Sequence, residues 1–372
     1  MMQSRWETGN LYEEITGYSR HGGELPTDPA KRRAVLRSML ALADSQEPLA
    51  GKTLQETKAD GLIREEVTYT LHNGITTRAT LLRPDSPRKG MPAVVALHDH
   101  GGYYYHGRKK LLSSPEASPG LEAFQQQYYG GRSWPEALAR KGYVVLIPDA
   151  FYFGSRRLEE TTLPDSCREK YFAPCKGLAE GSDAYISAYN EACGLYEREM
   201  VKHLLVSPVT WPGILVSDDM RAVDYLAARP EVNAEHIGCC GLSIGGFRSA
   251  LLCGMDPRIR CAVVVCWMNT FADLQFTRLR DHTFMLYIPH LLRQFDLPDI
   301  TGLCAPNPLL VQQCMRDDLF SHEGMRQAET ILARHYHNAG AASRFKAAWY
   351  DSPHAFTLPM QADAFAWLDK HL

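Results

Sequence analysis

The chain has 372 residues, of which 45% are hydrophobic, 22% charged and 10% aromatic, an ordinary globular composition that excludes disorder as the main state. Forty Lys and Arg against 43 Asp and Glu leave a net charge of −3, with no basic excess and no long run of like charge to recruit nucleic acid. No apolar run approaches the roughly 20 residues that span a bilayer, so no membrane segment is expected.

In chain order, residues 1–27 read as an irregular arm rich in Gly and Tyr. Asp28-Pro29 then opens a helix, on which Val35, Leu36, Met39, Leu40 and Leu42 recur at helical spacing. Asn73-Gly74 divides Arg64–Leu82 into two alternating runs, which predicts a β-hairpin because both turn residues tolerate positive φ. From there, short and nearly continuous apolar runs alternate with amphipathic stretches. The runs Ala93–Leu97, Tyr143–Ile147, Ile237–Cys240, Cys261–Cys266, Leu309–Gln312 and Ala347–Tyr350 read as strands buried on both faces. Helices are expected over Trp134–Lys141, Ser217–Ala228, Gly246–Leu252, His322–Ala339 and Gln361–Leu372. This alternation predicts an α/β fold, a mostly parallel central sheet flanked by helices. An N-terminal arm and helix fill residues 1–60, and one large domain fills 61–372. Two insertions break the rhythm, at about 153–206 and 270–306. Long insertions between strands commonly form lids or pocket walls, and surface decoration or an oligomer contact is the alternative.

The ten cysteines include no C-x-x-C pair, and Cys239, Cys240, Cys253, Cys261 and Cys266 fall in apolar stretches where a reduced thiol is a small core residue. The first residues lack a charged-then-apolar leader. A cytoplasmic protein with reduced thiols is therefore expected.

Ile237–Gly246 reads I-G-C-C-G-L-S-I-G-G, in which Gly241-Leu242-Ser243-Ile244-Gly245 fits G-x-S-x-G between an apolar run and a helix. A serine on such a strand-to-helix turn stands clear of the sheet, and the first amides of the helix carry partial positive charge toward it. The bland alternative is a tight Gly-rich turn with a solvated serine. A serine hydroxyl needs a base, and the base an orienting acid. In folds with this turn the acid and then the histidine follow the serine. The loop after Leu309–Gln312 reads C-M-R-D-D-L-F and offers Asp317, favoured over Asp318, one of the two being a cap for the helix near Ser321. The loop after Ala347–Tyr350 reads D-S-P-H-A-F and offers His354; one helix and one strand fit between it and Asp317. Asp351 reads as a turn-former and is the fallback acid. His282 and His290 lie in an insertion, His322, His335 and His337 on a helix, and His371 beside the terminus.

After Ala93–Leu97 the chain reads H-D-H-G-G-Y-Y-Y-H-G. A tetrahedral intermediate needs two backbone donors, and losing one costs roughly 3–4 kcal/mol. The expected donors are the N–H groups of Ile244 and His100, with Asp99 and Gly101 as neighbours able to serve. His98-x-His100 also fits a metal pair, but no further acidic or histidine ligands follow closely, so neither metal nor cofactor is expected. Tyr103, Tyr104 and Tyr105 line the substrate pocket or pack into the core; Tyr103 and Trp267 are the substrate-binding candidates.

With these residues in hand, the chain resembles the α/β-hydrolase superfamily, in particular its acetyl xylan esterase-like and dienelactone hydrolase-related branch. The matching pieces are L-H-D-H-G-G at 97–102, D-M-R-A-V-D-Y-L-A-A-R-P-E-V at 219–232, I-G-C-C-G-L-S-I-G-G at 237–246, A-P-N-P-L-L-V at 305–311, D-D-L-F at 317–320 and Y-D-S-P-H-A-F at 350–356. The resemblance covers about residues 60–372. It implies a Ser243–His354–Asp317 ester hydrolase with Ile244 and His100 as oxyanion donors, an acyl-enzyme intermediate and no cofactor. Ile244 stands where relatives commonly have Gln, Arg or Tyr. This departure and the missing leader point away from a polysaccharide and toward a small or internalised ester, including an acetyl-type ester on a carbohydrate. The alternatives are an amidase or peptidase, or a lactone hydrolase, with the same triad, and a non-catalytic binding scaffold. A small-molecule ester is the expected partner, with a homo-oligomer possible.

Overall fold

The structure is a computed structural model that describes residues 26–42 and 45–372; the arm expected at residues 1–27 lies outside the described residues except for its last two. One sheet organises the chain. Its strands are β1 (Lys52–Ala59), β2 (Leu62–Thr70), β3 (Thr76–Pro84), β4 (Met91–Leu97), β5 (Val144–Pro148), β6 (Val232–Leu242), β7 (Ile259–Val265), β8 (Leu309–Cys314) and β9 (Phe345–Tyr350). Their spatial order is β1-β2-β3-β5-β4-β6-β7-β8-β9. The first three strands run antiparallel, and β3 is antiparallel to β5. From β5 to β9 every neighbouring pair is parallel. Every residue of β5 and β8 is buried, because helices cover both faces there.

The hairpin expected around Asn73-Gly74 is β2 and β3, and both turn residues have positive φ (50° and 71°). β1 escaped the sequence reading. It is exposed along its whole length and rich in Lys, Glu and Thr, so it has no apolar alternation to reveal it. Such a composition keeps an edge strand from pairing with another chain. Asp60-Gly61 (φ 51° and 75°) joins it to β2 by the same turn chemistry. Residues 52–59 thus belong to the sheet, ahead of the boundary drawn at residue 60.

The helix expected from Ser217 begins earlier, at Trp211, where the Thr210 hydroxyl accepts from the Gly213 N–H (3.0 Å). Pro212-Gly213 reads as a breaker, yet Pro is well suited to a first helical turn. A helix at Pro119–Tyr129, capped by Ser118, was also missed. The insertion after β5 is a series of short turns followed by the helix Asp183–Val206. The second insertion holds the short helices Phe271–Thr277 and Leu297–Thr301, joined by single turns. Both insertions rise over the carboxyl ends of the parallel strands, where open α/β sheets bind ligands. Among the described residues, no helix is long and apolar enough to cross a membrane. All ten cysteines are unpaired, and nine are buried.

Candidate active site

Ser243 sits between the end of β6 and the helix Ile244–Met255, with φ 60° and ψ −125°. A non-glycine residue held there stores strain, and such strain clusters at functional sites. The neighbouring glycines are required by space. A Cβ on Gly245 would come 2.0 Å from the Leu97 carbonyl oxygen, and one on Gly241 would come 2.5 Å from Gly245 and from Leu97. The Ser243 N–H donates to the Val265 carbonyl (3.0 Å), which ties the turn to β7.

Asp317 and His354 leave the carboxyl ends of β8 and β9 and meet. His354 Nδ1 lies 2.6 Å from Asp317 Oδ2. The other carboxylate oxygen accepts from the Leu319 N–H (3.0 Å), which fixes the carboxylate plane, and the Asp317 side chain is wholly buried. Asp318 points to solvent, and Asp351 is exposed and paired with Arg316 (2.7 Å). Burial pushes the His354 imidazole toward its neutral form, but the hydrogen bond and charge of Asp317 outweigh it, and the pKa lies above the ordinary histidine value. His354 Nε2 is buried and makes no hydrogen bond among the described residues. Beneath the histidine loop, the thiols of Cys266 and Cys314 both donate to the Ala355 carbonyl (3.5 and 3.6 Å).

Ser243, Ile244, His100, Gly101 and His354 line one cavity of about 160 Å³. Tyr128, Trp267 and Leu319 close its sides, and Asp281, His282, Thr283 and Leu286 of the second insertion cover it. Trp267 Nε1 is buried and has no hydrogen-bond partner among the described residues. Tyr103 stands outside this lining, a correction to the sequence reading. Gly101 and Gly102 (φ 53° and 67°) turn the chain away, and the ring packs on Phe124 and His106 instead (centroids 4.9 and 5.4 Å). Tyr128 takes the place expected of it. Tyr104 is buried, and Tyr105 packs on Tyr189. A larger groove of about 600 Å³ lies between the helix Pro29–Leu40 and the two insertions, and none of the three candidate catalytic residues lines it.

The H-x-H pair does not converge on a metal position. His98 Nδ1 donates to the Asp99 carbonyl (2.9 Å) and Nε2 accepts from the Ala150 N–H (3.2 Å), so both ring nitrogens are engaged. Burial, aided by the Lys110 charge, holds His98 neutral, well below its ordinary pKa. Cys266, Asp317 and His354 do bring three potential ligand atoms within 4.8 Å of one another. Burial raises the Cys266 thiol well above its ordinary value, which opposes the thiolate that a metal requires, and the Asp317–His354 hydrogen bond occupies the other two atoms.

One functional cluster was invisible in the sequence. Glu197, on the helix Asp183–Val206, is buried beside the cavity. The Gly102 N–H donates to His100 Nδ1 (2.9 Å), so the ring proton lies on Nε2 and is donated to Glu197 Oε1 (3.1 Å). The Tyr104 hydroxyl (2.7 Å), the Thr283 hydroxyl (2.8 Å) and the Phe284 N–H (3.1 Å) donate to the same carboxylate. Burial raises the Glu197 pKa, but these donors outweigh it and keep the group below the ordinary carboxylate value. One carboxylate thereby ties both insertions to the loop after β4.

No protein-family model matches the chain. It is 26% identical over 344 residues to the Bacillus subtilis (strain 168) protein named "Putative hydrolase YtaP", covering 92% of this chain and 99% of that one. Among solved structures it is similar to a "putative acetyl xylan esterase" of Bacteroides fragilis (TM-score 0.66, 15% identity, 93% of this chain and 83% of that chain). It is also similar to a glucuronoyl esterase of Solibacter usitatus (TM-score 0.57, 11% identity, 91% of each chain). The strand order, the strained serine turn and these likenesses together identify the chain as an α/β-hydrolase fold.

Proposed function

We propose that the protein is a serine carboxylic-ester hydrolase with Ser243 as nucleophile, His354 as base and Asp317 as the acid that orients it. The observation that carries this reading is the 2.6 Å His354–Asp317 contact, whose free Nε2 is buried in a histidine lining the same cavity as the strained Ser243. The relatives named as esterases and as a hydrolase support it. Nε2 takes the Ser243 proton as Oγ attacks the ester carbonyl, and the Ile244 and His100 amides receive the oxyanion. The imidazolium then protonates the leaving alcohol, and a water activated by the same nitrogen releases the acid. A cavity of 160 Å³ fits a short acyl group such as acetyl. The test is a comparison of p-nitrophenyl acetate, the butyrate and an aminoacyl anilide. The acetate is expected to turn over fastest and the anilide slowest; preference for the anilide would make the protein an amidase.

The base must be neutral to work, so kcat/KM is expected to rise with pH. Because Asp317 raises the His354 pKa, the midpoint of that rise lies above 6.5. A midpoint below 6.5 in a pH–rate profile contradicts the Asp317–His354 coupling.

A further inference from the structure

We infer that Lys110 is a positioning residue for the oxyanion hole, gripping the two carbonyls whose peptides present the His100 and Gly101 N–H groups to the cavity. The inference rests on the ester-hydrolase reading and adds to it a group outside the triad. Lys110 lies on the turn Gly107–Leu111, and its side chain is 0% exposed. Its ammonium donates to the Asp99 carbonyl, to the His100 carbonyl (2.9 Å) and to Asp99 Oδ2 (3.3 Å), so all three N–H bonds are directed at one loop.

The geometry of the peptide links this grip to the cavity. In a trans peptide the C=O and the N–H of the next residue point in opposite directions. The only cis bond among the described residues is Ala305–Pro306, so both peptides here are trans. The Asp99 carbonyl shares its peptide with the His100 N–H, and the His100 carbonyl shares its peptide with the Gly101 N–H. A cation that holds both oxygens on one side of the loop fixes both donors on the other side, where His100 and Gly101 line the cavity beside Ser243 and Ile244. Neither N–H has a hydrogen-bond partner among the described residues. The following amides fold back instead: Gly102 donates to the His100 ring and Tyr103 to the His100 carbonyl (3.0 Å). A positive charge on a carbonyl oxygen also draws electron density from the same amide, making its N–H a stronger donor in a site of low dielectric.

The surroundings hold the lysine in place. Arg108, two residues earlier, pairs with Asp149 and Glu66 and pins the turn to the sheet. The Lys110 ammonium lies 4.9 Å from the centre of the Phe153 ring. Tyr129 donates to the other oxygen of Asp99. A buried ion pair can often be exchanged for apolar side chains without loss of stability, so stability alone is a weak reason for a lysine here.

The test uses two variants, Lys110→Met and the double variant Lys110→Met with Asp99→Asn. The second removes both charges, so it stays folded if the lone Asp99 unfolds the first. Both are expected to lose about 100-fold in kcat on p-nitrophenyl acetate with KM within about threefold. In isotope-edited infrared spectra of an acyl-enzyme made with a slowly released acyl group, the ester carbonyl stretch is expected at higher wavenumber than in the unsubstituted protein, because the oxyanion donors no longer polarise it. Full kcat in either variant overturns the inference. So does a fall in kcat with an unmoved carbonyl stretch, which is what a merely structural role gives. Absence of any acyl-enzyme in the unsubstituted protein overturns the esterase reading and this inference with it.

Discussion

Ser243→Ala is expected to lower kcat on a short acyl ester about a million-fold, with KM changed by less than about threefold. The hydroxyl is the group that forms the acyl-enzyme, and the other aliphatic hydroxyl among the described residues lining the cavity, that of Thr283, is committed to Glu197. Alanine and serine both carry a Cβ, so the backbone strain at φ 60° is unchanged and the melting temperature stays near that of the unsubstituted protein. Ser243→Gly is expected to be equally inactive but more stable by about 1 kcal/mol, because glycine occupies positive φ without steric cost. Steady-state kinetics and thermal unfolding of the two variants check both halves. A Ser243→Ala variant that keeps its activity removes the nucleophile from the account.

Asp317→Asn is expected to lower kcat about 10,000-fold with the fold intact. An amide NH₂ at this position donates to His354 Nδ1 and shifts the ring proton to Nε2, the nitrogen that must accept from Ser243. The same change removes the charge that raises the His354 pKa, so residual activity rises at lower pH than in the unsubstituted protein. Asp318→Asn, one residue on and exposed, is expected to leave kcat within about twofold. Equal losses in the two variants, or the larger loss at 318, contradict the assignment of the acid.

Much of this arrangement was legible because its causes are local. The strands β4, β5 and β7 and the second half of β6 are nearly continuous apolar runs, since both faces of a parallel sheet are covered there, whereas β9, expected to be buried on both faces, is an edge strand with no fully buried residue. The serine turn announces itself through Gly241 and Gly245, which stand where a Cβ would strike the Leu97 carbonyl. Two adjacent aspartates are harder to separate. Only the fold shows that Asp317 turns inward to His354 while Asp318 faces water. The cavity walls were less legible for a different reason. Glu197, Thr283 and Tyr128 come from three separate segments with no shared spacing, and they meet only once the insertions fold over the sheet. His282 reads as an insertion residue with no role, yet it lines the cavity. Lys110 was hidden by its neighbours, since nothing in the string G-R-K-K-L says that Arg108 and Lys110 point inward while Lys109 stays exposed. The run of three tyrosines misled for a related reason: the left-handed Gly101-Gly102 turn decides where each ring goes.

The account depends most on one atom, the hydroxyl oxygen of residue 243. Treating the protein with a fluorophosphonate and mapping the adduct by peptide mass spectrometry reads that atom directly. The predicted result is a single adduct on the peptide bearing Ser243, formed faster as pH rises through the His354 pKa and abolished in Ser243→Ala. An adduct on another residue, or ester hydrolysis that persists at full rate with Ser243 unmodified, would contradict it.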